Sequence, residues 1–294
     1  MAVAAEASAS PVRTRGGAME RAWRRFRRKK LALVAVAFII LELAVAVFAP
    51  VIAPDNPYRG DYAATWQLPS SAHFLGTDEL GRDVLSRLIY GARISLAVGI
   101  ISQVVIVLIG VPVGACAGLV GGWFDYSVMR VVDVLSSLPP LLFYILLLVV
   151  LGPGFQNIII AMALTGWIGI ARIVRGQVLS LKETDFIRAT RAMGGGTWHI
   201  VTVHLVRNTM TPVIVTMTLG VPAAMFAEAG LSFLGLGISP PTSSWGQMIG
   251  AYQQYIQVYW HLTVFPAIVL AFTMLAWVIV GDALRDALDP SVRR

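Results

Sequence analysis

The chain has 294 residues, of which 57% are hydrophobic and only 13% charged, and its formal net charge is +7. A water-soluble protein of this size carries roughly 25% charged residues, so the composition excludes an ordinary soluble globule and indicates a chain dissolved in lipid. The positive balance does not indicate nucleic acid either, because the basic residues cluster beside apolar runs in the pattern that sets membrane orientation.

Residues 1–19 are rich in Ala and Ser and show no apolar period, which predicts a disordered tail. Arg21 to Lys30 form a dense basic block, completing a cytoplasmic tail over residues 1–30. The apolar run from Leu31 to Ala53 follows directly. About 20 helical residues cross the roughly 30 Å hydrocarbon core, so this run is long enough to be the first span. Ala44-Val45-Ala46 resembles a leader-cleavage site, but the apolar run is too long for a leader and its loss would leave an odd number of spans.

Residues 54–93 form the first outer segment. Pro54, Pro57 and Pro69 keep its first half irregular. From Thr77 onward, Leu80, Val84, Leu85, Leu88 and Ile89 recur at helical spacing, which predicts an amphipathic helix at the outer interface. Asp78 and Glu79 would occupy its first turn, Asp83 and Arg87 would pair at i,i+4, and Gly91 would bend the chain into span two.

Further apolar runs at 94–120, 131–152, 156–174, 210–235 and 262–281 complete six predicted spans, with the transmembrane core over 94–281 and a tail over 282–294. Nineteen of the 23 basic residues then lie on one side, and Arg59, Arg82, Arg87 and Arg93 on the other. That asymmetry places both termini in the cytoplasm. In span two, Gly110, Gly114 and Gly118 form a small-xxx-small ladder for close packing. The single cysteine, Cys116, reads as a small packing residue.

Intramembrane carboxylates are costly and need a role. Glu228 shares a helix face with Ser232 and is a candidate for the translocation path, as are Ser136 beside the Pro139-Pro140 kink, and Trp167. Glu42 in span one reads as a packing partner, and Asp133 with Arg130 as an anchor at the inner interface. The four histidines are dispersed, so they predict no metal site, and no Ser/His/Asp set falls in one layer.

The longest cytoplasmic loop, residues 178–208, reads VLSLKETDFIRATRAMGGGTWHIVTVHLVRN. Thr184 or Asp185 can cap a helix through Phe186, Ala189 and Met193, Gly194 to Gly196 break it, and Thr197 can cap a second helix carrying Trp198. Two short helices bent about glycine make a compact knob suited to a socket on a soluble partner. No GxxxxGK[ST] phosphate loop occurs, so the chain itself is expected to bind no nucleotide or other cofactor.

This loop resembles the EAA loop of bacterial ABC importers, in the version RATRAMG at 188–194. HFLGTDELGRDVLSRLIYGARISLAVG at 73–99, AEAGLSFLGLGISPPTSSWGQMI at 227–249 and GDALRDALDP at 281–290 strengthen the likeness. Together they are similar to the C-type permease subunit of dipeptide and oligopeptide importers. The resemblance implies an all-α membrane protein with six transmembrane helices, cytoplasmic termini and the type I ABC importer permease fold. It implies coupling through Thr184, Asp185, Phe186, Arg188, Ala189, Arg191, Ala192, Met193, Gly194 and Trp198. It also implies a homologous B-type permease partner, two ATPase subunits holding ATP and magnesium, and an extracytoplasmic substrate-binding protein. Two positions depart from the family: Arg188 stands where the general loop has Glu, and Arg207 where Pro is usual. Nickel or glutathione uptake fits the same architecture, and an ion-coupled secondary transporter is the alternative from another class.

Overall fold

The computed structural model describes residues 18–185 and 206–288. Its helices in chain order are α1 (Ala18–Arg28), α2 (Lys30–Val47), α3 (Ala49–Ile52), α4 (Val84–Val120), α5 (Gly122–Ser136), α6 (Pro140–Leu151), α7 (Phe155–Lys182), α8 (Val206–Phe233), α9 (Trp245–Tyr252) and α10 (His261–Leu288). Two single 3₁₀ turns, Tyr62–Ala64 and Gln253–Tyr255, interrupt the connections.

Five helices, α2, α4, α7, α8 and α10, are each long and apolar enough to cross a membrane. The predicted third span is not one straight helix. Its sequence forms α5 and α6, bent by 85°. Pro139 is extended at ψ 131° and Pro140 opens α6. A proline disfavours helical geometry in the residue before it and fits the first turn of the next helix, so the tandem prolines stop α5 and start α6.

The packing of α4 on α7 shows what this bent pair does. Every third or fourth residue of α4 meets a residue progressively later in α7. A Cβ at Gly110 would stand 2.7 Å from that of Ile170, one at Gly114 would stand 2.4 Å from the Ala171 carbonyl oxygen, and one at Gly118 would stand 2.8 Å from Val178 Cγ1. The two helices therefore run parallel, with backbones closer than any side chain permits. Two consecutive long helices can run parallel only if the chain between them returns across the full height of the bundle. The α5–α6 pair makes that return, and it is the sixth crossing.

Six crossings bring the two ends of the chain to one face. Phe26 of α1 is buried against a cluster that includes Ala283 and Ala287 of α10, and Lys29 pairs with Asp286. We call this the terminal face. The segment 48–83 between α2 and α4 lies on the opposite, distal face.

The distal segment departs from the predicted helix. Thr77 to Arg82 are not helical, and the helix begins at Val84, where Asp83 accepts the Ser86 N–H as its cap. Gly91 does not bend the chain. It lies inside the continuous 37-residue α4, and its missing side chain makes room for Trp245, whose Cδ1 would be 3.1 Å from a Cβ there. At 1.5 Å per residue α4 is about 55 Å long, so it overshoots a 30 Å hydrocarbon core by several turns. The predicted interfacial helix and span two are one element. Cys116 is also not packed inside the chain; it is exposed on the outer side of α4.

Candidate transport core and coupling segment

The distal end of the bundle is closed by α9, laid across the start of α4. Ser244 caps α9 by accepting the Gln247 N–H, and its hydroxyl donates to Glu228 Oε1 at 2.7 Å. Trp245 is buried, receives support from Leu88 through its indole N–H (3.0 Å to the carbonyl), and donates its backbone N–H to the Ser95 hydroxyl at 3.0 Å. The connection into α9 contains a cis Pro240–Pro241 peptide.

A buried ionic network joins this lid to the distal segment. Asp78 is fully buried. Its Oδ1 accepts the Leu80 and Arg82 backbone N–H groups at 2.9 and 3.0 Å, and its Oδ2 accepts from Arg82 Nε at 2.6 Å. The Arg87 Nε lies 3.5 Å from the same Oδ2, and the Tyr252 hydroxyl donates to it at 3.3 Å. Arg87 reaches onward to Gln247 Oε1 at 3.2 Å. Asp83, predicted to pair with Arg87, instead caps α4. Burial pushes the Tyr252 hydroxyl well above its ordinary range, and the neighbouring Asp78 carboxylate pushes it the same way. Tyr252 therefore stays a neutral donor. Burial alone would lower the Arg82 guanidinium, yet Asp78, with smaller contributions from Tyr252 and Glu79, outweighs it and holds Arg82 charged.

Of the four path candidates, Glu228 and Ser232 are brought together. Glu228 is fully buried; Oε1 accepts from Ser232 at 2.8 Å as well as from Ser244, while Oε2 faces Gly246 and has no hydrogen-bond partner among the described residues. The face pairing of Glu228 with Ser232 was legible from their i,i+4 spacing. The link to Ser244 was not, since it depends on where α9 folds back. Beside Ser232 lies a recess of about 250 Å³ walled by Pro153, Gly237, Ser239, Pro240 and Gln247.

Ser136 lines a separate recess of about 290 Å³ inside the α5–α6 bend, with Pro140, Tyr144, Thr165, Gly166 and Gly169. This recess sits roughly midway along α7. Trp167 lines neither recess, and its indole N–H is held by the Leu164 carbonyl of its own helix at 3.0 Å. Glu42 packs against α10, where the Thr273 hydroxyl donates to it.

The end of α7, which leads into the predicted coupling segment, is braced from three sides. Arg175 makes a bidentate pair with Asp125, at 2.5 and 2.6 Å, tying α7 to the start of α5. Arg172 pairs with Asp133 at 3.0 Å. Asp133 is thus not anchored by Arg130, which bonds the Tyr126 hydroxyl one turn away at 2.7 Å and covers that ring. Lys182 reaches the Gly118 carbonyl at 3.5 Å. Thr184 returns both its N–H and its hydroxyl to the Leu181 carbonyl, closing α7, and Asp185 is already helical. Phe186, Arg188, Ala189, Arg191, Ala192, Met193, Gly194 and Trp198 lie outside the described residues.

Residues 110–294 match the sequence model described as binding-protein-dependent transport system inner membrane component. The chain belongs to this family. Residues 18–69 match a second one, the N-terminal TM domain of oligopeptide transport permease C. The family member is 46% identical over 274 residues to the dipeptide transport system permease protein DppC of Bacillus subtilis, covering 93% of this chain and 86% of that one. It is 46% identical over 276 residues to the oligopeptide transport system permease protein OppC of the same organism, covering 92% and 88%. The glutathione transport system permease protein GsiD of Escherichia coli O157:H7 is 41% identical over 272 residues, covering 92% and 90%. A chain from the inward facing MetNI methionine ABC transporter superposes with a TM-score of 0.56 at 22% identity, covering 69% of this chain and 96% of that one. The likeness shows that this permease subunit of an ABC importer has the type I importer fold. It is a multi-pass membrane protein.

Proposed function

We propose that this permease conducts dipeptides or short oligopeptides inward through the cytoplasmic membrane, driven by ATP hydrolysis on separate subunits. The observation that carries the reading is the parallel packing of α4 and α7, which sends the segment after Lys182 to the terminal face, opposite the α9 lid. The basic block at Arg21 to Lys30 lies on the same face, and charge asymmetry makes that face cytoplasmic. In this reading the loop from Thr184 through Trp198 docks on an ATPase, with Gly194 as its hinge; what supports it is that α7, which leads into the loop, ends on the terminal face.

In this reading two ATPase subunits hold ATP and magnesium, and this chain binds no nucleotide of its own. A homologous B-type permease supplies the other half of the path, and an extracytoplasmic binding protein delivers cargo to the lid. Closure of the ATPase dimer pushes the braced end of α7 and turns the cavity outward. Glu228, with Ser232 and Ser244, holds α8 to α9 and acts as the distal latch. Ser136 and the recess at the α5–α6 bend stand at mid-depth along the path. Trp167, turned to its own helix, is the weakest of the four path assignments.

The peptide assignment is supported by the two relatives at 46% identity, against 41% for the glutathione relative. Reconstituted vesicles containing the full importer test it. Radiolabelled dipeptide should accumulate only with ATP, and excess unlabelled dipeptide should compete where glutathione or nickel does not. Competition by glutathione alone would move the assignment to that cargo.

A further inference from the structure

We propose that Asp55, His73 and Asp83 form a site for a divalent transition-metal cation on the distal face. The sequence separates these residues by a proline-rich stretch, yet the fold brings one ligand atom from each to within 4.8 Å of the others. His73 Nδ1 stands 3.1 Å from Asp83 Oδ1. In a tetrahedral zinc site with bonds of about 2.0–2.2 Å, neighbouring ligand atoms stand about 3.3 to 3.6 Å apart, so this pair need part by only a few tenths of an ångström to hold an ion. Asp55 is exposed and Asp83 buried, so one ligand is rigid and one is free to close on an arriving ion.

The donors are held by neighbours that do not compete for the metal. Asp83 uses Oδ2 to accept the Ser86 N–H and hydroxyl, both at 2.7 Å, leaving Oδ1 for the site. The Ser86 oxygen in turn accepts the Asp55 backbone N–H at 2.9 Å. One hydroxyl thus positions both carboxylate residues, as an outer-shell partner does in metal centres. His73 is fixed through its backbone, which bonds the Ser70 hydroxyl and receives the Gly76 N–H.

Charge favours a cation there. Two carboxylates face each other, and among the described residues no Lys or Arg pairs with either; the nearby Arg82 and Arg87 turn to Asp78. A plain His73–Asp83 hydrogen bond accounts for two of the side chains and leaves Asp55 opposed to a second carboxylate. A bound ion ties the end of the first span, the loop and the start of α4 into one unit. One imidazole with two carboxylates suits zinc, nickel or manganese rather than copper(I), which prefers thiolates.

The test is zinc titration of the full-length chain purified in detergent, read by calorimetry and by X-ray absorption. The expected result is one zinc per chain with a nitrogen and oxygen shell. His73→Ala and Asp55→Ala should each weaken binding at least as much as Ser86→Ala, for which loss of an outer-shell partner predicts about 10-fold or more. Melting followed by circular dichroism checks that these variants remain folded. Asp83→Asn is not used as the sole probe because it also alters a helix cap. Absence of stoichiometric zinc on the folded wild-type chain, or unchanged zinc affinity in the His73→Ala/Asp55→Ala double variant, would overturn the proposal.

Discussion

Gly114 of α4 lies so close to Ala171 of α7 that a single added carbon would stand 2.4 Å from the Ala171 carbonyl oxygen. The contact fixes two helices in parallel and so decides how many times the chain crosses. Gly114→Leu should separate α4 from α7 or block insertion. Overpacking of this kind costs about 1–3 kcal/mol or more, and the melting temperature in detergent should fall accordingly. Cys116→Val, two residues away on the exposed side, should leave melting unchanged.

The Asp78 network predicts a second, independent loss. Asp78→Ala leaves the Arg87 guanidinium, 1% exposed, without its carboxylate. Stranding a buried charge costs about 3–5 kcal/mol. Tyr252→Phe removes two long hydrogen bonds, one donated to Asp78 at 3.3 Å and one received from Arg82 at 3.4 Å, but strands no charge and should cost less, about 1–2 kcal/mol. Chemical denaturation that ranks the two variants equally would contradict this hierarchy.

Glu228 and Ser244 join α8 to α9. Glu228→Gln preserves volume and retains an oxygen for Ser232 or Ser244, so the protein should insert and assemble. If the carboxylate acts as a latch, uptake should drop while ATPase binding persists. Uptake at the wild-type rate would reduce Glu228 to a packing residue.

Arg175 and Asp125 brace the end of α7 below the coupling segment. Arg175→Asp should lower ATP-driven uptake, and the swap Arg175→Asp with Asp125→Arg should recover part of it. Both side chains are partly exposed, so the expected effect is on coupling rather than on melting. Failure of the swap to recover any uptake would show that the pair is not the brace.

Much of this architecture is readable from apolar runs, because a helix long enough to cross lipid must be nearly free of charge. The Gly110–Gly114–Gly118 ladder was legible for the same reason, since only small residues permit backbone contact. The α5–α6 bend was signalled by Pro139-Pro140, but its 85° angle was not, because a proline pair allows many angles. In the distal segment the helical period of Leu80, Val84 and Leu88 runs through a cap and so hides where the helix starts. Asp83 begins the helix there, and Asp78 serves a tertiary network that no local spacing reveals. Local spacing points Asp133 at the nearby Arg130, whereas its partner Arg172 lies 39 positions away on a helix that returns beside it.

In the proposed mechanism ATP drives this permease through the loop that contains Gly194. The most direct measurement is ATP-dependent dipeptide uptake by vesicles carrying Gly194→Pro, with the ATPase subunits assayed for attachment. The expected result is an inserted permease with ATPase attached and uptake abolished. Normal uptake with the ATPase still attached would contradict it.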